Sequence, residues 1–492
     1  MRWSYYGACM THLGRRLLTV ACVFAACLGV LAQGRRDDAS PIAPTISAAL
    51  GRPGPRSMTV NLLASSEREA YIEYGTTPGQ TLWRSATQTL RAGTPREVTL
   101  PSLAPDTRYF YRVRHRPSGD GPFAVETEQM FTTARGPGRA FTFGVQGDSH
   151  PERDGRMFDT ALYARTIEHA RQEILDFYVM LGDDFSIERL IARNAVSAST
   201  VNAVYAQQRG WLAPLSSSTP LFLVNGNHEQ AARALLDGTP ESPAVLAGLA
   251  RNAFFALPAP DAYYSGDAEV IDGIGLLRDY YAWTWGDALF IVLDPYWHSP
   301  TLVDNEPGGG GGQGRRGRDL WDVTIGDAQY AWLTRTLEAS RARYIFVLTH
   351  HVMGTGRGGV EAADGFEWGG ADRAGRASFA MHRPSWPLPI HALLAKYGVT
   401  IVFQGHDHLY ARQEKDGIIY QTVPSPGDDT YTAFNRDAYR SGETAANSGH
   451  LRVSVSPDNT RVDYVRSWLP GQGGVERGDG DVSHTYVVLP RR

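Results

Sequence analysis

Cysteine is almost missing from this chain. Of its 492 residues only Cys9, Cys22 and Cys27 are cysteine, all of them near the N-terminus. Without thiols further along, the body of the protein has neither disulfide staples nor thiolate chemistry, so any metal it holds is bound through nitrogen and oxygen. Lysine is as scarce: Lys396 and Lys415 are the only two, and arginine carries the remaining basic charge. That bias reads as genomic base composition and says little about function. A net charge of −4, with 20% charged residues, gives no basic excess and no signature of nucleic-acid binding. An apolar run long enough for a membrane span is lacking too. The N-terminal stretch "LLTVACVFAACLGVLA" is about 16 residues, short of the roughly 20 that a spanning helix needs.

That stretch follows Arg15 and Arg16 and precedes the polar "QGRRDDASP". Such an order reads as a secretory leader over residues 1–32, cleaved between Ala32 and Gln33, with an uncleaved anchor helix as the alternative. Arg15 and Arg16 before Leu17 and Leu18 leave the route open between general secretion and twin-arginine export. Cys27 after "VFAA" is a candidate for a lipid anchor, although Phe24 is unusual in that context. The expected location is secreted or periplasmic, with no transmembrane segment in the mature chain.

Two domains are expected beyond the leader, because single cores stop growing near about 250–300 residues. Residues 42–135 read as an all-β module: "SMTVNLLA", "REAYIEYG", "REVTLPSL", "TRYFYRVRH" and "VETEQMFTT" are short alternating segments between turn residues. In "LAPDTRYFYRVRH", Leu103 precedes a turn and Tyr109, Tyr111 and Val113 alternate. The module resembles a fibronectin type III domain, which implies a sandwich of the fibronectin/immunoglobulin kind.

After the linker "ARGPGRA", apolar strands alternate with helical patterns, as in α/β architectures. Phe158, Leu162, Ile167, Ala170 and Ile174 fall near helical spacing, as do Tyr330, Leu333 and Leu337. The run "EPGGGGGQGRRGR" within residues 306–318 reads as a surface loop, a lid or a passive insertion. The tail from Gly417 returns to strand-like pieces, "GIIYQTV", "GHLRVSVS" and "TRVDYVRSW", expected to complete a second sheet.

Five apolar strand candidates each end in metal-competent side chains: Asp148 and His150, Asp183, Asn227 and His228, His350 and His351, His406 and His408. Ligands of α/β sheets gather at the carboxyl ends of strands, so these groups can converge on one rim. Two cations held close together repel, and a site for both needs a bridging carboxylate with neutral imidazoles outside it. The ordered set "GDSH", "GDD", "GNHE", a histidine after "YIFVLT", and "GHDH" resembles the calcineurin-like metallophosphoesterase superfamily over roughly residues 140–465.

The resemblance implies a domain over 140–490 with a four-layer α/β/β/α sandwich, α/β (α+β) in class, and two divalent metal ions of zinc, manganese or iron. It implies one metal on Asp148, His150, Asp183 and His408, and the other on Asp183, Asn227, His350 and His406, with Asp183 bridging. It assigns His228 to the phosphoryl group, as proton donor or charge stabiliser, and in-line attack to a metal-bridging hydroxide. His350 is preferred to His351 because it directly follows its strand. His351 points either toward substrate or into the surroundings. Arg357 in "GTGRGG" is a candidate phosphate contact or a solvated loop residue. Histidines outside the pattern, His298 among them, read as surface or packing residues.

The preceding fibronectin-like module, and Tyr410 and Arg412 in "GHDHLYAR", resemble the purple acid phosphatases. That branch carries a tyrosine ligand three residues beyond the bridging aspartate, where this chain has Ser186, and glycine in place of His150. Protein phosphatases of the superfamily carry an aspartate at the Ser186 position. The expected activity is therefore a secreted phosphoesterase acting on a small-molecule phosphate ester, first a monoester, with diester or phospholipase-type activity as the alternative. From another class, the chain reads as a cell-surface binding protein with a relic metal site. Substrate choice is expected to lie in loops such as 353–386.

Overall fold

The computed structural model describes residues 45–303, 319–351, 357–473 and 478–491. The leader with Cys27, the Gly-rich run of 306–318 and residues 352–356 lie outside them. Strands such as Phe177–Met180, Tyr344–Thr349 and Ile401–Gln404 are buried at every position. Unbroken apolar runs of this kind suit strands covered on both faces. They build two facing sheets. The first runs, edge to edge, Val482–Val488, Thr460–Arg466, Gly449–Val455, Phe141–Gln146, Phe177–Met180, Leu221–Leu223, Ile46–Gly51, Met58–Ala64 and Arg96–Leu100. The second runs Ser265–Gly266, Tyr281–Trp285, Ala288–Val292, Tyr344–Thr349, Ile401–Gln404, Ile418–Thr422, Tyr410–Lys415 and Glu443–Ala445.

Aromatic side chains fill the space between the sheets. Phe143, Phe177 and Phe222 face Trp283, Phe290, Phe346 and Phe403. Phe143 meets Phe290 edge-on at 5.1 Å, and Phe222 stacks on Trp283 at 4.0 Å. Such pairs add about 0.5–1.5 kcal/mol each beyond their burial. Helices Thr160–Gln172, Ala198–Ser216 and Pro243–Phe254 cover the outer face of the first sheet. Gly326–Ala339 and Ile390–Lys396 cover the second, which gives the expected α/β/β/α layering.

Local chemistry sets the helix ends. Asp159 caps Thr160–Gln172 by accepting from Leu162 N, and Ser197 and Thr200 form a capping box at Ala198–Ser216. Ile174 breaks the expected periodicity. It follows the helix in a left-handed conformation and is 56% exposed, while Leu175 takes the buried place. The tail strands also differ from expectation: Ile418–Thr422 joins the second sheet, whereas Gly449–Val455 and Thr460–Arg466 join the first. Gly449–Val455 lies antiparallel to Phe141–Gln146, whose free edge it covers.

The N-terminal region is all-β. Arg68–Gly75 and Arg108–Pro117 pair antiparallel, and Tyr109, Tyr111 and Val113 point inward onto Val60, Leu62 and Phe131. Ala104 N donates to the Tyr109 hydroxyl at 2.8 Å, a tyrosine tying its strand to the preceding turn. The opposite layer of this sandwich, Ile46–Gly51, Met58–Ala64 and Arg96–Leu100, continues the first large sheet through parallel pairing of Gly51 with Leu221. Buried Arg209, on the helix Ala198–Ser216, reinforces that seam by donating to Asn61 Oδ1 at 2.8 Å, Asn61 O at 2.5 Å and Phe254 O at 2.6 Å. Among the described residues no helix is long and apolar enough to cross a membrane.

Candidate metal centre

Parallel pairing aligns Phe141–Gln146, Phe177–Met180 and Leu221–Leu223 in one sheet, and Tyr344–Thr349 with Ile401–Gln404 in the other. Their carboxyl ends therefore share one rim, and the residues just past them meet there. Asp148, His150 and His408 offer ligand atoms within 4.8 Å of one another, and so do Asp148, Asp183 and His350. His150 Nε2 and His408 Nε2 face each other at 3.1 Å, with Asp148 Oδ2 3.1 Å from the latter. His350 Nε2 lies 3.1 Å from Asp183 Oδ2, 3.2 Å from Asn227 Oδ1 and 3.3 Å from His406 Nδ1. All seven expected ligands converge, with Asp183 between the two groups.

The donor set fits divalent cations. Asp148 Oδ2 and Asp183 Oδ2 are buried and have no hydrogen-bond partner among the described residues. Buried carboxylate oxygens are rarely left in that state unless a cation completes them. Burial disfavours charge on the His150 and His350 rings, yet Glu152 and Asp148 together push His150 up to about 9, and Asp183 and Asp148 push His350 up to about 10. The carboxylates thus favour positive charge at these two rings. Burial and the charge of neighbouring histidines hold His406 well below the usual imidazole range, so its ring is a neutral donor.

Supporting bonds orient the ligands. His150 Nδ1 donates to Glu152 Oε1 at 2.9 Å and His350 Nδ1 to Leu181 O at 2.8 Å, so each ring presents Nε2 to the cluster. Backbone nitrogens hold the carboxylates: His406 N donates to Asp148 Oδ1 at 2.7 Å and His228 N to Asp183 Oδ1 at 2.8 Å. Glu229, the last residue of "GNHE", accepts from the backbone N–H of Asp183, Asp184, Phe185 and Gly226, locking two motif loops together. A Cβ on Gly405 would sit 2.4 Å from Asp148 Oδ1, and one on Gly226 2.2 Å from Asp183 Oδ1. Only glycine permits those approaches. His150, Asp183, His406 and His408 all have positive φ, strain of the kind that collects at functional sites.

His228 stands beside the cluster. Its Nδ1 is 2.7 Å from Glu188 Oε2, and Arg153 Nη2 lies 3.2 Å from its Nε2. Neither Glu188 nor Arg153 was legible as a site residue. Glu188 lies five positions past Asp183, outside the motif spacing, and Arg153 enters only because residues 151–153 turn back beside His150. His351 Nδ1 is hydrogen-bonded to the Tyr296 hydroxyl, and burial keeps that tyrosine protonated. Ligand atoms of His351, His350 and His406 also lie within 4.8 Å of one another. Arg357 is partly exposed, and its Nη1 donates to His406 O at 2.9 Å and Asp407 Oδ1 at 3.2 Å, clamping the "GHDH" turn. Tyr410 stacks on Tyr464 at 5.0 Å and the Arg412 guanidinium lies over Tyr486, so both serve packing.

A model of the calcineurin-like phosphoesterase family matches residues 141–410, more than half of the chain. The chain belongs to that family. As a calcineurin-like phosphoesterase it is a metal-dependent phosphoester hydrolase. Its fold is shared with PhoD, at a TM-score of 0.61 and 16% identity over 90% of each chain. It is also shared with the purple acid phosphatase PPD1 of yellow lupin (Lupinus luteus), at a TM-score of 0.56 and 16% identity over 90% of this chain and 74% of that one. No curated protein sequence matches it.

Proposed function

We propose that this phosphoesterase is a secreted dinuclear-metal phosphomonoesterase, with Asp148, His150, Asp183 and His408 holding one divalent cation and Asp183, Asn227, His350 and His406 the other. Zinc, manganese and iron all suit nitrogen and carboxylate donors. The convergence of these seven side chains, with two buried carboxylate oxygens turned to the imidazoles at 3.1 Å, carries the reading. Bound there, two divalent cations supply Lewis acidity to phosphoryl oxygens and acidify water.

The chain's own residues do the rest. Glu188 Oε2, 2.7 Å from Nδ1, stands against the His228 ring, whose Nε2 faces the space beside Asp183, and the carboxylate offsets positive charge on the ring. His228 then donates a proton to the leaving oxygen from Nε2. Arg153 Nη2, next to that nitrogen, is placed to donate to a phosphate oxygen, and a second cationic group favours a dianionic monoester over a monoanionic diester. The cluster residues themselves are buried, and among the described residues Glu152, Arg153 and Glu188 reach solvent beside them.

The test is Asp183→Asn against p-nitrophenyl phosphate and its bis ester. The expected outcome is loss of monoester turnover by at least about three orders of magnitude, the scale on which metal clamps act. Undiminished turnover overturns the site, and a wild-type preference for the bis ester overturns the monoester reading.

A further inference from the structure

A second knot of ionisable side chains lies outside this centre. Asp267 follows the edge strand Ser265–Gly266, Asp279 precedes Tyr281–Trp285, and His298 lies in the turn beyond Ala288–Val292. Asp267 is 3% exposed and Asp279 2%. Ligand atoms of the three lie within 4.8 Å of one another. Each carboxylate spends one oxygen on the backbone: Asp267 Oδ1 accepts from Glu269 N at 2.9 Å and Asp279 Oδ1 from Tyr280 N at 2.8 Å. The second oxygens are turned to the knot. Asp279 Oδ2 is 3.1 Å from His298 Nε2, and Asp267 Oδ2 is buried with no hydrogen-bond partner among the described residues.

Charge makes this arrangement unusual. Asp294 stands nearby with its oxygens occupied by Asn225 Nδ2, Tyr296 N and Trp297 N. Buried carboxylates facing one another against a single imidazole leave an excess of negative charge, and such groups are retained where they are paired or bind a cation.

We propose that Asp267, Asp279 and His298 form a second, mononuclear divalent-cation site, distinct from the dinuclear centre. Two carboxylates and an imidazole suit zinc or manganese. The ion fastens the edge of the second sheet to the turn at residues 294–299. That turn carries Asp294, which holds Asn225 two residues from the ligand Asn227, and Tyr296, which holds His351. The site thus braces the loops of the dinuclear centre from behind.

Metal counting separates this site from the proposed catalytic one. The full chain carrying Asp148→Asn/Asp183→Asn is loaded with Mn2+ or Zn2+, passed over chelating resin and assayed for metal and melting temperature. One ion per chain is expected to remain, and stripping it with EDTA is expected to lower the melting temperature. Adding Asp267→Asn/His298→Ala is expected to remove that ion and the EDTA response. In the otherwise wild-type chain the same pair of substitutions is expected to lower the content from three ions to two, a readout that needs neither catalysis nor the first variant. No retained ion, or an ion indifferent to Asp267 and His298, overturns the proposal. So does an Asp267→Asn chain with unchanged metal content and stability, the result expected if the two carboxyls merely share a proton.

Discussion

Asp183 and Asp184 are neighbours in sequence with different surroundings. Asp183 sends Oδ2 into the cluster, whereas Asp184 turns away and accepts from Ser149 Oγ and Gln146 Nε2, with burial and the Glu229 charge holding its carboxyl well above the usual range. Ser186 is buried with its Oγ unpartnered among the described residues, and the carboxylate that reaches His228 comes from Glu188 instead. Replacing that carboxylate by a neutral amide, Glu188→Gln, is expected to lower kcat about tenfold with KM and metal content unchanged, roughly the worth of one close charge contact. Steady-state kinetics with metal analysis on the same sample checks it. With serine where the purple enzymes have tyrosine, and Tyr296 engaged by His351, the metal-loaded protein is expected to be colourless. A visible absorption spectrum tests this, and a strong band lost on reduction would contradict it.

Among the elements, the turns after the strands matter more than the strands. The apolar runs and the ordered motifs were legible because each strand needs its own hydrophobic sequence and each turn its own glycine. The glycines have a further reason that only packing shows: Gly405 and Gly226 lie against the carboxylates of distant motifs. Gly405→Ala is expected to push Asp148 out of place and abolish both turnover and metal retention at the cluster, leaving only the ion of the Asp267 site, while the sheets persist, read by metal analysis beside circular dichroism. Glu188, Arg153 and Glu152 were not legible. No periodicity or spacing marks them, and they join the site through the way residues 151–153 and 184–188 fold back beside His150 and His228. Helix periodicity failed at Ile174 for a related reason, since the chain leaves the helix before it and Leu175 completes the core.

Across the whole molecule, the N-terminal sandwich and the phosphoesterase body share a sheet, joined at Gly51 and Leu221 and secured by Arg209. Arg209→Met leaves buried acceptors on Asn61 and Phe254 without a donor. At about 1–3 kcal/mol for each orphaned group, the expected loss is about 3 kcal/mol. Denaturant unfolding followed by tryptophan fluorescence and circular dichroism is expected to show one coincident transition at a lower midpoint, because the seam makes the two regions unfold together. Two separated transitions in the wild-type chain would contradict that coupling.

The sequence by itself determined the chemistry available to this protein: oxygen and nitrogen donors without thiols, glycine turns after buried strands, and the order of five motifs. These are local properties, written in the residues that express them. Tertiary structure alone decided which carboxylate lies against His228, that His351 meets the Tyr296 hydroxyl, that Arg357 clamps a turn, and that the N-terminal layer prolongs the first sheet. Those outcomes depend on contacts between residues far apart in the chain, and such contacts exist only once the two sheets have closed on their shared core.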